Sequence, residues 1–72
     1  MDLNGAIQTA ENGGHVRDDA TMRPDWTMRY DKLQKLLYYF DPAGSRRHKV
    51  HFSDAQRSSA QWRTTIGKET TQ

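Results

Sequence analysis

Asp31-Lys32-Leu33-Gln34-Lys35-Leu36-Leu37-Tyr38-Tyr39-Phe40-Asp41-Pro42 is the stretch on which the fold turns. Leu33, Leu36, Leu37 and Phe40 fall on one stripe of a helix, with Asp31 placed to cap it and Pro42 to stop it. Leu36 to Phe40 is equally an unbroken apolar and aromatic run, bounded by the turn sequence Asp41-Pro42-Ala43-Gly44-Ser45. Local sequence leaves helix and strand open here. On a strand, the adjacent Tyr38 and Tyr39 face opposite sides, which leaves one of them exposed or at an interface.

The flanking segments are clearer. Downstream of the turn, His48, Val50 and Phe52 alternate with Lys49 and His51, as a strand does. A strand at 36–40 then closes a hairpin with it. Upstream, Trp26, Met28 and Tyr30 share one face and Thr27, Arg29 and Asp31 the other, the pattern of a half-buried strand.

Toward the N-terminus, Leu3, Ala6, Ile7 and Ala10 recur at helical spacing behind Asp2, which serves as N-cap or first-turn acid. Asn12-Gly13-Gly14 ends that helix, because both residue types tolerate the left-handed conformation that follows a last turn. His15-Val16-Arg17 reads as a short strand. A polar loop from Asp18 to Pro24 follows, long enough to move and to close over a ligand. Ser53-Asp54-Ala55-Gln56 matches a capping box and predicts a short helical turn to about Ala60. Trp62 is expected to end the ordered region. The reading is an α+β domain over residues 1–63, an N-terminal helix packed on a small antiparallel sheet with a short C-terminal helical turn. Residues 64–72 are expected to be a flexible tail.

Composition limits what such a chain can do. Its 72 residues make one domain at most, and a domain of that size buries only roughly 60% of its unfolded surface. With 33% hydrophobic residues the core must be thin, and with no cysteine neither a disulfide nor a thiolate metal site can brace it. Small unstapled scaffolds often gain stability by oligomerising, so a homo-oligomer is expected. No apolar run is long enough to span a membrane. The net charge of +2 hides an asymmetry. Residues 1–42 carry five Lys/Arg against seven Asp/Glu, whereas residues 43–63 carry Arg46, Arg47, Lys49, Arg57 and Arg63 against Asp54 alone. Such a section attracts phosphates, although charged edge strands also serve to block sheet-to-sheet pairing.

Two tryptophans stand beside arginines, in Met22-Arg23-Pro24-Asp25-Trp26 with Arg29, and in Trp62-Arg63. Aromatic faces stack on bases and guanidinium forks grip phosphates, so Trp26, Arg23, Arg29, Arg17, Trp62 and Arg63 are the candidate ligand-binding residues. Each also has a plain alternative, Trp as core and Arg as a surface ion pair with Asp18, Asp19, Asp25 or Asp31. His48-x-x-His51 has zinc spacing on a helix, but a strand puts the rings on opposite faces and no cysteine or clustered acid completes the site. No phosphate loop, nucleophile elbow or His-acid-Ser pattern appears, so neither catalysis nor a cofactor is expected.

Taken in order, Ala6-Ile7 with Gly13-Gly14, Val16-Arg17, Trp26, the Gly44 turn and Ser53-Asp54 followed by Gln61-Trp62 form a pattern. Over residues 3–63 it resembles the small family of Thoeris anti-defence proteins of the second type. Gln61 stands where that family usually has an acid, and Trp26 follows Arg17 at a longer distance than usual. The resemblance implies a phage-encoded sponge acting in the host cytoplasm. Such a homo-oligomer holds cyclic nucleotide immune signals between subunits without cleaving them. It also tips residues 36–40 towards strand. The rival reading is an anti-CRISPR-like inhibitor that blocks a host defence protein or nucleoprotein complex through Arg46, Arg47, Lys49, Arg57 and Arg63. A third is an accessory or DNA-binding phage protein.

Overall fold

The computed structural model describes residues 1–65. The elements run α1 (Leu3–Glu11), β1 (Val16–Asp18), β2 (Thr27–Asp31), β3 (Leu36–Phe40), β4 (Arg46–Lys49), α2 (Asp54–Ser58) and β5 (Trp62–Thr64). The strands form one antiparallel sheet in the order β4-β3-β2-β1-β5. This is the expected α+β architecture, and residues 36–40 are a strand.

Helix α1 begins where Asp2 accepts a hydrogen bond from the Gly5 N–H at 2.9 Å. It ends with the Gly13 N–H bonded to the Ala10 carbonyl and the Gly14 N–H to that of Thr9, at 3.0 and 2.9 Å. That double bond is a Schellman closure, and it needs the left-handed φ of 99° that Gly13 supplies. The helix lays Ala6 and Ala10, both fully buried, on the sheet. Their small side chains let the backbone come close, and Val16, Met28 and Trp62 complete the core.

The register fixes the two faces. Val16 pairs with Met28 and Met28 with Tyr39, so these three share the α1 side. Arg17, Thr27, Arg29, Tyr38, Phe40 and Arg63 alternate with them and occupy the opposite side. Leu37 and Tyr39 pack against the core, and Tyr38 points away.

Three expectations are corrected. Trp62 does not end the ordered region: it opens β5, which pairs with β1 through Thr64, and the Thr65 N–H still donates to the His15 carbonyl at 2.8 Å. The expected tail boundary at residue 64 therefore falls within a strand, while residues 66–72 lie outside the described residues. The strand expected at 48–52 is shifted to Arg46–Lys49. Its ladder with β3 carries an irregularity between Tyr38 and Phe40, and beyond it Phe52 leaves the sheet to meet Trp62 edge-on at 6.3 Å. The loop after β1 is also fastened rather than loose. Asp18, fully buried, accepts from Ala20 N–H and from the hydroxyls of Thr21 and Ser59, the last two at 2.7 Å.

The capping box of α2 forms as expected. Ser53 Oγ accepts from the Gln56 N–H, and Gln56 Oε1 accepts from the Ser53 N–H. The same Gln56 carries further contacts. Its amide donates to the Tyr39 hydroxyl at 2.8 Å and its carbonyl accepts the Trp62 indole N–H at 3.3 Å. A five-residue helix thus locks the floor of a cleft.

Candidate functional site: an aromatic and arginine cleft at Trp26

Arg23-Pro24-Asp25-Trp26 is a turn closed by the Trp26 N–H on the Arg23 carbonyl at 3.2 Å. Proline at the second position and a φ of 66° at Asp25 are what a type II turn takes. It delivers Trp26 just ahead of β2. By strand alternation the indole falls on the same side as Met28, the side of α1, at the border with β4.

There it forms one wall of a cleft of about 210 Å³ lined by Thr21, Met22, Arg23, Trp26, Tyr39, His48 and Gln56. The His48 ring lies 6.4 Å from the indole and 5.2 Å from the Tyr39 ring, edge-on to the latter. The Arg23 guanidinium sits 5.5 Å from the indole centroid and that of Arg47 5.9 Å. Arg47 is also 3.5 Å from the Asp41 carboxylate. Among the described residues the lining holds flat rings, a cation, two polar side chains and a thioether, but no carboxylate.

The six predicted residues do not come together. Trp26 and Arg23 share this cleft. Trp62 is 1% exposed and belongs to the core, so its faces are already covered. Arg17, Arg29 and Arg63 stand on the other side of the sheet, around a more polar depression of about 390 Å³ that also includes Asp25, Thr27 and Asp41. Arg17 is nearly buried, and its guanidinium is committed: it donates to the carbonyls of Arg23 and Trp26 at 2.8 and 3.0 Å and to Asp19 at 2.7 Å. Arg63 donates to the other oxygen of Asp19 at 2.6 Å. Those hydrogen bonds, Arg63 first and Arg17 second, hold the Asp19 carboxyl at a pKa of about 2. Arg29 donates to the Thr27 hydroxyl and lies over Phe40.

His48, Tyr39 and Gln56 complete the cleft, with Arg47 beside its indole wall, and none of these was among the expected site residues. Tyr39 was legible as one of a split pair and Gln56 as a capping residue. The placement of His48 and Arg47 beside Trp26 follows the irregular β3–β4 pairing, which carries no local sequence signal. His48 and His51 are both exposed, the former against the Trp26 and Tyr39 rings, and no group of three or more His, Cys, Asp or Glu gathers among the described residues. The five cations of residues 43–63 are dispersed. Arg46, Arg47 and Lys49 lie on one edge strand and Arg63 on the other, while Arg57 belongs to α2. None of the described helices is long and apolar enough to cross a membrane. Comparisons with protein-family models, with curated proteins and with solved structures return no match.

Proposed function

We propose that this chain captures an anionic, ring-bearing ligand of the nucleotide class without acting on it chemically, sequestering a cyclic nucleotide signal as the anti-defence resemblance implies. The observation that supports this reading is the Trp26 cleft. A base stacks on the indole, a contact contributing about 1–3 kcal/mol. Arg23 and Arg47 swing from the ring to the adjacent phosphate, while Thr21 and Gln56 offer hydrogen bonds to the base edge. Among the described residues the lining carries Arg23 and no carboxylate, which favours an anion over a quaternary ammonium.

Size decides how much of the ligand one chain can take. The cleft's 210 Å³ lies below the roughly 300–1,000 Å³ of an ordinary small-molecule site. One subunit therefore holds a single ring with its phosphate, and a cyclic di- or trinucleotide is enclosed only when a second copy covers the rest. Homo-oligomerisation is thus part of the proposal.

The test is thermal-shift screening against cyclic di- and trinucleotides and cyclic ADP-ribose isomers. A binder present at one hundred times its Kd stabilises the fold by about 2.7 kcal/mol. Trp26→Ala should abolish the shift, Trp26→Phe should keep part of it, and Arg23→Ala should weaken binding by roughly 1.5–3 kcal/mol. The ligand should be recovered chemically intact after heat release. A folded Trp26→Ala protein that binds as the parent does would move the site elsewhere. The rival host-blocking reading predicts instead that Arg57→Ala, remote from the cleft lining, abolishes inhibition of the host target while the thermal shifts are unchanged.

A further inference from the structure

The sheet has a second face that neither helix covers. On it, Phe40 and Tyr38 stand two residues apart on β3, each with a guanidinium over its ring: Arg29 at 4.5 Å from Phe40 and Arg46 at 4.7 Å from Tyr38. Rings two residues apart on one strand are spaced by about 6.8 Å. Lys49 pairs with Tyr38 and joins Arg46 at the β4 edge. Arg46 also meets Asp31 at 2.6 Å. Half-buried aromatics on an open sheet, with guanidinium groups resting on them, form a stacking platform whose lids can exchange a ring for a phosphate.

We infer that this face binds single-stranded nucleic acid, with successive bases stacked on Tyr38 and Phe40 and the backbone held by Arg46, Arg29 and Lys49. Only unpaired bases present a face to such rings, so a duplex is excluded by geometry. Asp25 and Asp41 line the more polar depression on this face and repel phosphate from it. A second copy of this chain is the competing occupant. A two-fold contact through this face would set the patch of Arg29, Arg46 and Lys49 against the same patch of the copy, which like-charge repulsion opposes and a polyanion relieves. The inference stands apart from the Trp26 cleft, which lies on the other side of the sheet.

Fluorescence anisotropy with labelled twelve-nucleotide poly(dT) and poly(U), beside a hairpin duplex of equal length, tests it. Both single strands should bind at low salt and the duplex at least about tenfold more weakly. Tyr38→Leu and Phe40→Leu, which keep apolar bulk on β3 but lack a π face, should each weaken binding by about 5–100-fold. Removing a phosphate contact with Arg46→Gln or Lys49→Gln should flatten the salt dependence. Trp26→Ala should leave oligonucleotide binding unchanged, which separates this site from the cleft. The inference is overturned if neither single strand binds, if the Leu variants bind as the parent does with unaltered circular dichroism, or if the duplex binds equally. It is also overturned if sedimentation shows a dimer that Tyr38→Leu and Phe40→Leu dissociate, since a second copy then occupies the face.

Discussion

Arg17 donates to the carbonyl of Trp26 at 3.0 Å, from a guanidinium that is otherwise spent on the Arg23 carbonyl and on Asp19. An arginine that the sequence offers as a ligand contact is, in the fold, the clamp on the turn that presents the aromatic wall. Its influence on binding is therefore indirect and its influence on stability direct.

Arg17→Ala should lower unfolding stability in urea by at least about 1.5–3 kcal/mol, the range for a hydrogen bond to a charged group. Arg63 shares Asp19 but is 48% exposed, and a surface pair of that kind contributes little. Arg63→Ala should lower the urea midpoint near neutral pH by less than Arg17→Ala does. A large loss for Arg63 and none for Arg17 would reverse these roles.

Acid should loosen the same cluster. Asp19 titrates at about 2 rather than 3.8 because its charged form is hydrogen-bonded by Arg63 and Arg17. A carboxyl depressed by folding contributes stability that is fully present above its unfolded pKa and lost as pH falls through the folded one. The thermal midpoint should decline between pH 3.8 and about 2. Asp31, held low by the Gln34 N–H and then by Arg46, adds in the same direction. Arg63→Ala should raise the Asp19 midpoint followed by carboxylate NMR, and an unmoved midpoint would remove the assigned cause.

What could be read from sequence follows the range of the forces involved. The α1 period, the Gly13 closure and the Ser53 capping box are local, and each formed where its residues stand. Residues 36–40 were ambiguous because five apolar residues suit either helix or strand, and only pairing on both sides, with β2 and β4, decides it. β5 was missed since three residues with one buried side chain carry almost no periodic signal. The site was half legible for a related reason: alternation tells which residues share a face within a strand, but not which strands become neighbours. Arg23 and Trp26 were found, whereas the partners from β3, β4 and α2 were not.

The two tryptophans should separate spectroscopically. Trp62 is buried at 1% exposure and Trp26 lines an open cleft. Trp26→Phe should leave a blue-shifted emission shielded from iodide, and Trp62→Phe a red-shifted, quenchable one. Trp62→Ala should cost about 3–5 kcal/mol, enough to unfold so thin a core. Equal quenching of the two would contradict this placement.

The β2–β3 turn holds Lys35 at a φ of 59°, with its N–H bonded to the Asp31 carbonyl at 2.7 Å. A side chain in that region is strained and glycine is not. Lys35→Gly should raise the thermal midpoint, corresponding to about 0.5–1 kcal/mol, with the fold unchanged. A fall in the midpoint would mean that the lysine side chain stabilises the turn more than its backbone strains it.

Strand order also governs when the molecule can fold. β2, β3 and β4 are successive hairpins and can pair as soon as they exist, but β1 stays unsealed until β5 arrives, through contacts such as Thr65 on His15 that join residues 50 apart. Because β5 brings Trp62, the largest fully buried side chain among the described residues, the core lacks its main component until β5 docks. Loop closure over that distance comes late in entropic terms, so docking of β5 should limit the folding rate. Until then Val16 and Met28 lack the indole that covers them in the folded core, and the window for misassembly is set by how long β5 takes to dock.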